Sequence, residues 1–179
     1  MIKGGIGGGN TKTGLLFEKR TCLLQLLADT KGYLVIDAKI GKSISYNNLE
    51  VAQCYRKHDL YKFLDANNVN WKILISKKLL PDDALYVIHN NTLFVIEVKF
   101  QFVAGSVDEK LQTCDFKKKQ YKKLFSQLNI EVEYVYVLSE WFKKPEYKDA
   151  LDYVISVGCQ YYFEYLPLLK LGLPVPESN

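Results

Sequence analysis

The chain of 179 residues holds only two histidines, five prolines and four cysteines, and no long apolar run. Each shortage excludes something. The cysteines stand at Cys22, Cys54, Cys114 and Cys159, and no two form a Cys-x-x-Cys pair. A zinc knuckle or a thioredoxin-like dithiol is thereby excluded, and four free thiols of a reducing, cytoplasmic compartment are expected. No stretch of about 18 apolar residues occurs, so no membrane-spanning helix is expected. The opening Met1-Ile2-Lys3-Gly4-Gly5 lacks the apolar segment of an export signal. No internal repeat is found, and low complexity is confined to a glycine-rich stretch over residues 1–12, read as a flexible arm. The net charge is only +4, which permits a nucleic-acid partner without requiring one.

What is present describes a globular chain. Hydrophobic residues make up 48% and charged residues 25%, with 13 tyrosines and 9 phenylalanines. The length suits one domain, read as residues 13–179, that buries roughly 70% of its unfolded surface. Thr13 stands as an N-cap before Leu15, Leu16, Leu23, Leu24, Leu26 and Leu27, predicting a helix over 14–29. A strand is expected at 33–36 and a helix at 48–66. Residues 82–88 and 93–102 read as two strands joined by the turn His89-Asn90-Asn91-Thr92. Ser106 and Glu109 form a capping box that opens a helix to about residue 129. A strand at 131–138, a helix at 146–157, a strand at 161–165 and an irregular tail complete the pattern. The fold class is α/β: a central mixed sheet flanked by helices.

The second strand of the hairpin carries the chemistry. Split by parity, one face holds Phe94, Ile96, Val98, Phe100 and Phe102 and must pack on a core. The other holds Leu93, Val95, Glu97, Lys99 and Gln101. A carboxylate, an ammonium and an amide side by side on a core-like strand are costly unless paired. A Glu–Lys ion pair at a sheet edge is the plain explanation. Fourteen residues separate Glu97 from Asp82, however, which follows Pro81 at the mouth of the hairpin, so that the turn brings Asp82 and Glu97 to one end of the sheet. Two carboxylates beside a lysine offer oxygen ligands that suit magnesium, with manganese a substitute. Asp83 also follows the proline. Parity does not decide between neighbours at a strand's first residue; Asp82 is favoured as the residue of the Pro-Asp pair, leaving Asp83 as an exposed capping residue.

Pro81-Asp82 followed by Glu97-Val98-Lys99 resembles the signature of the PD-(D/E)XK nuclease superfamily, and the surrounding elements resemble its α-β-β-β-α-β core. The segment Thr13-Gly14-Leu15-Leu16-Phe17-Glu18 is similar to the opening helix of many type II restriction endonucleases. The resemblance covers residues 11–138 as a pattern of elements. It implies a magnesium-dependent DNA endonuclease, most specifically a type II restriction enzyme acting as a homodimer on double-stranded DNA. It also implies Asp82, Glu97 and the Val98 carbonyl as metal ligands. Lys99 would position or activate the water, and Gln101 and Glu18 would support the metal or its waters.

The helix after this strand reads Phe116-Lys117-Lys118-Lys119-Gln120-Tyr121-Lys122-Lys123. Lys119, Lys122 and Lys123 fall within an arc of about 100° opposite Cys114, Tyr121, Leu124, Phe125 and Leu128. A solvated face is the plain reading; beside a nuclease site it becomes a phosphate contact. Gly105-Ser106 at the helix start would add backbone amides, and Lys12 in the arm a further cation. GGGNTKTG mimics a phosphate-binding loop but lacks the Gly-Lys step and a preceding strand. His58 and His89 are too few and too separated for a His-metal nuclease of the HNH type and are expected at the surface. Tyr161, Tyr162, Phe163 and Tyr165 read as packing residues before base-stacking ones, as do Trp71 and Trp141. Three other readings stand beside the restriction enzyme. They are a structure-specific nuclease such as a junction resolvase or repair nickase, a non-catalytic DNA-binding subunit, and an α/β binding protein in which Glu97–Lys99 is only an ion pair.

Overall fold

The computed structural model describes residues 10–11, 14–16, 22–101 and 107–177. The expectations that fall on Lys12, Thr13, Glu18, Phe102, Gly105 and Ser106 lie outside the described residues. In chain order the elements are β1 (Asn10–Thr11), β2 (Gly14–Leu16), α1 (Leu23–Ala28), β3 (Tyr33–Asp37), β4 (Lys42–Tyr46) and β5 (Leu49–Cys54). There follow α2 (Asp59–Ala66), α3 (Trp71–Leu74), β6 (Asp83–Val87), β7 (Thr92–Lys99), α4 (Val107–Leu111) and α5 (Cys114–Phe125). The chain closes with β8 (Glu131–Leu138), α6 (Lys148–Ser156), β9 (Gln160–Phe163), β10 (Tyr165–Pro167) and α7 (Leu168–Leu171).

The main sheet has seven strands in the order β3-β4-β5-β6-β7-β8-β9. The first five form an antiparallel meander, and β8 and β9 then add in parallel. Those parallel steps need crossovers, supplied by α4 with α5 and by α6. The fold is therefore mixed α/β, with a sheet flanked by helices on both sides. On one face Leu93 and Val95 of β7 pack with Leu60 and Leu64 of α2, Tyr121 and Leu124 of α5, and Val154 of α6. On the other, Phe94 and Ile96 pack with Leu23 and Leu27 of α1 and with Leu168 and Leu171 of α7. Strand β7 is buried on both faces, which is why it reads as a nearly unbroken apolar run. Each fully buried side chain contributes about 1.5–3 kcal/mol against exposure, so Glu97 within that run needs local compensation.

Several elements differ from expectation. The helix over 14–29 is replaced by β2 and the shorter α1. Leu15 and Leu16 pair with Leu166 and Tyr165 of β10, partners 151 and 149 residues on that no local pattern reveals. The predicted opening helix of the nuclease core, and with it the setting proposed for Glu18, is thus not formed over Gly14–Leu16. The helix over 48–66 is strand β5 for its first part and helix α2 for its last. Asn47 and Asn48, at φ 48° and 67°, make a tight hairpin turn between β4 and β5. This is the kind of Asn-Asn signal that marks the β6–β7 turn, where Asn91 has φ 49°. Gly41, at φ 70°, closes the neighbouring turn; a Cβ there would stand 2.3 Å from the Cys54 carbonyl oxygen.

The helix expected to 129 breaks between α4 and α5 and ends in a 3₁₀ turn before Asn129, which is left-handed at φ 53°. The strand expected at 161–165 divides at Glu164 (φ 53°) into β9 of the main sheet and β10 of a separate sheet with β1 and β2. In the tail, α7 precedes Gly172. All four cysteines are free, and His58 and His89 are exposed. Among the described residues no helix is long and apolar enough to cross a membrane.

Candidate active site at the mouth of the hairpin

The hairpin register decides which aspartate meets Glu97. Asp83 pairs with Ile96 and Ala84 with Val95, so one step further Asp82 stands opposite Glu97 on the same face. The chain entering β6 is held from the neighbouring segment, where the Tyr55 N–H donates to the Ala84 carbonyl (2.8 Å) and the Lys57 N–H to the Pro81 carbonyl (3.0 Å). Asp83 points to the other face. It is 4% exposed, not the solvent-facing cap expected, and is paired with Arg56 Nε at 3.2 Å. Its own strand alternation turns it into the second core. Burial pushes its carboxyl up to about 6, Arg56 opposing and the Asp82 charge reinforcing the rise.

Glu97 is 7% exposed and meets three donors. Lys99 Nζ lies 2.9 Å from Oε2, and Lys117 Nζ lies 2.8 and 3.1 Å from the two oxygens. The Tyr134 hydroxyl of β8 donates to Oε1. Burial acts to raise the Glu97 carboxyl. The two ammoniums and the hydrogen bonds from Lys117 and Tyr134 outweigh it, and the group is held below the ordinary carboxylate range. Lys99 Nζ also stands 4.0 Å from Asp82 Oδ2, so one ammonium spans the two carboxylates. The Asp82 side chain is 55% exposed, which leaves this edge of the cluster open to solvent.

Asp82, Glu97 and Lys99 thus converge. Gln101 follows two residues beyond β7, buried, its N–H donating to Ser139 Oγ at 3.1 Å while the Ser139 hydroxyl donates back to its carbonyl at 3.1 Å. Lys119, Lys122 and Lys123 do not join the cluster. They are exposed as expected, but at about 100° per residue they lie about 140–240° around α5 from Lys117, the residue that reaches Glu97. Lys117 and Tyr134 are the participants that the sequence reading missed. Lys117 had a local signal, since it falls on the arc of Cys114, Tyr121 and Leu124, where a lysine needs a counter-charge.

The side-chain donors brought together here are oxygen, the Asp82 and Glu97 carboxylates on either side of the Lys99 ammonium. A carboxylate pair already arranged around one positive charge fits a hard divalent ion. Among the described residues no group of three or more His, Cys, Asp or Glu side chains is placed to hold a metal, so backbone and water oxygens would complete the shell. The chain matches no protein-family model, no curated protein and no solved structure.

Proposed function

We propose that this protein is a magnesium-dependent endonuclease that hydrolyses DNA phosphodiester bonds. The observation that carries the reading is Lys99, its ammonium 2.9 Å from Glu97 and 4.0 Å from Asp82 at an open sheet end. Asp82 and Glu97, with the Val98 carbonyl, would hold the ion; bound there, it supplies charge to the phosphoryl group and lowers the pKa of its water. Lys99 orients the attacking water and stabilises negative charge on the phosphoryl oxygens. Water oxygen bonds to phosphorus, the bond to O3′ breaks, and a 3′-hydroxyl and a 5′-phosphate result. Lys117 and Tyr134 hold Glu97 ionised and aimed.

By its resemblance to type II restriction endonucleases, the substrate is double-stranded DNA cut at a specific sequence by a symmetric homodimer. A structure-specific nuclease is the second reading, favoured by a groove beside α5 in which Leu74 and Phe116 stand among lysines. The test is digestion of a large unmethylated phage DNA with and without magnesium, beside Lys99→Ala. Discrete fragments that need magnesium and vanish in the variant are expected of the restriction enzyme. Cleavage only of branched or nicked DNA establishes the second reading. Survival of every substrate overturns both; if the protein still binds them it is a non-catalytic DNA-binding protein, and if it binds none, Glu97–Lys99 is only an ion pair.

A further inference from the structure

Helix α5 separates two surfaces of different character. Its inner lysines are neutralised: Lys117 by Glu97, and Lys118 by Glu133 at 3.0 Å. Its outer face lines a groove of about 530 Å³ with Leu74 of α3, where Phe116, Lys119, Lys122 and Lys123 form the α5 wall. Lys119 is paired with Asp115, whereas Lys122 and Lys123 have no ion pair among the described residues. Residues 71–79, on the α3 side, contribute Lys72, Lys77 and Lys78 and contain no acidic residue. Lys78 lies over the rings of Tyr61 and Trp71 at 4.6 and 4.7 Å, and Lys72 over Trp71 at 5.9 Å. Excess positive charge is therefore concentrated on the α5 wall, with further lysines in the segment that carries Leu74.

The apolar part of this surface is equally marked. Phe116 is 60% exposed and, with Leu74, supplies the apolar lining of the groove. Lysines alone would suit the outside of any duplex, whose bases are stacked away from the protein. A phenyl ring and an aliphatic side chain set among lysines match a chain that presents phosphates and bare base faces together. The groove and the candidate active site lie on different sides of α5, since Lys117 reaches Glu97 while Lys122 and Lys123 stand about 140–240° around the helix.

We propose that the groove between α3 and α5 binds single-stranded DNA, with Lys122 and Lys123 on phosphates and Phe116 against a base. As the identity of a substrate strand, this rests on the nuclease reading; as a binding site, it is measured apart from cleavage. Fluorescence anisotropy of full-length Lys99→Ala protein is read with a labelled oligothymidine, with a blunt duplex of equal length, and with oligoglutamate as competitor. Oligothymidine is expected to bind more tightly than the duplex and to resist oligoglutamate. Phe116→Ala is expected to weaken it about tenfold. Lys122→Glu with Lys123→Glu should weaken it further and reduce the salt dependence, each lost phosphate contact removing about 0.7 from the log–log slope. All three residues are exposed, so circular dichroism should be unchanged. Equal binding of duplex, no effect of Phe116→Ala, or displacement by oligoglutamate overturns the proposal. If oligothymidine binds here while the wild-type protein cleaves no DNA, only the nuclease reading fails. If the wild type cleaves duplex DNA and the groove variants change nothing, only this inference fails.

Discussion

Glu97 and Asp83 sit at the same end of one hairpin, on opposite faces of the sheet, at 7% and 4% exposure. Burial raises both carboxyls, yet they end on opposite sides of their ordinary values. Glu97 has two ammoniums and a tyrosine hydroxyl within reach and is held low. Asp83 has a half-exposed guanidinium and the weak Cys54 thiol donor, and is pushed up to about 6. The number and strength of donors, not depth, decides which carboxylate keeps its charge. On the proposed function, the face whose anion is secured by cations is the one that would take a metal and a phosphate. The other face holds an aspartate that titrates just below neutrality and is coupled to stability.

The largest effects should separate the two faces by activity. Lys99→Ala is expected to lower magnesium-dependent cleavage by about 100- to 1,000-fold, while Asp83→Asn leaves the cleavage rate of the folded protein near wild type. An equal loss in Asp83→Asn would place both carboxylates in one site. Next comes stability. The Asp83 carboxyl titrates higher in the folded chain than in the unfolded one. Its contribution is therefore fully present below about pH 4 and is lost as pH rises through about 6. Urea unfolding across this window should show a loss of at most about 3 kcal/mol, and Asp83→Asn should flatten the curve. Glu97 acts with the opposite sign at lower pH: its contribution is present above its unfolded pKa of about 4.3 and is lost as pH falls through the depressed folded value.

Smaller changes sharpen the comparison. Tyr134→Phe removes one hydrogen bond from Glu97 and keeps the ring. Cleavage should fall about tenfold, with a rise in the magnesium concentration needed for half-maximal rate. A fall in rate at unchanged magnesium requirement would show that Tyr134 does not act through the ligand. Arg56→Met takes the cation from Asp83. Because the guanidinium is 44% exposed, about 1 kcal/mol is expected, as a steeper loss of stability between pH 4 and 7.

The legible parts of this protein are those whose signals are local. Alternation along residues 93–99 separated two faces, and the structure buries them in two different cores. Pro81-Asp82 and the Asn-Asn turn marked the hairpin, and the spacing along α5 marked its outward lysines. Strands β4 and β5 were missed although Asn47-Asn48 carries the same turn chemistry, because Leu49, Ala52 and Tyr55 also fit a helical spacing. Strand β2 was missed because its partner β10 is remote, and the split at Glu164 because one residue of positive φ moves the chain between sheets.

At the candidate site the sequence alone put Glu97 and Lys99 on one face and brought the Asp82-Asp83 step to their end of the sheet, since a hairpin couples residues through its turn and its two-residue period. Tertiary structure decided the rest. The register set Asp82 rather than Asp83 on the Glu97 face. The crossover through α5 carried Lys117, 20 residues away, onto Glu97, and the parallel pairing of β8 brought Tyr134 from 37 residues away. Pairing across such distances depends on how helices and strands dock, which is a property of the whole packed chain and not of any window within it.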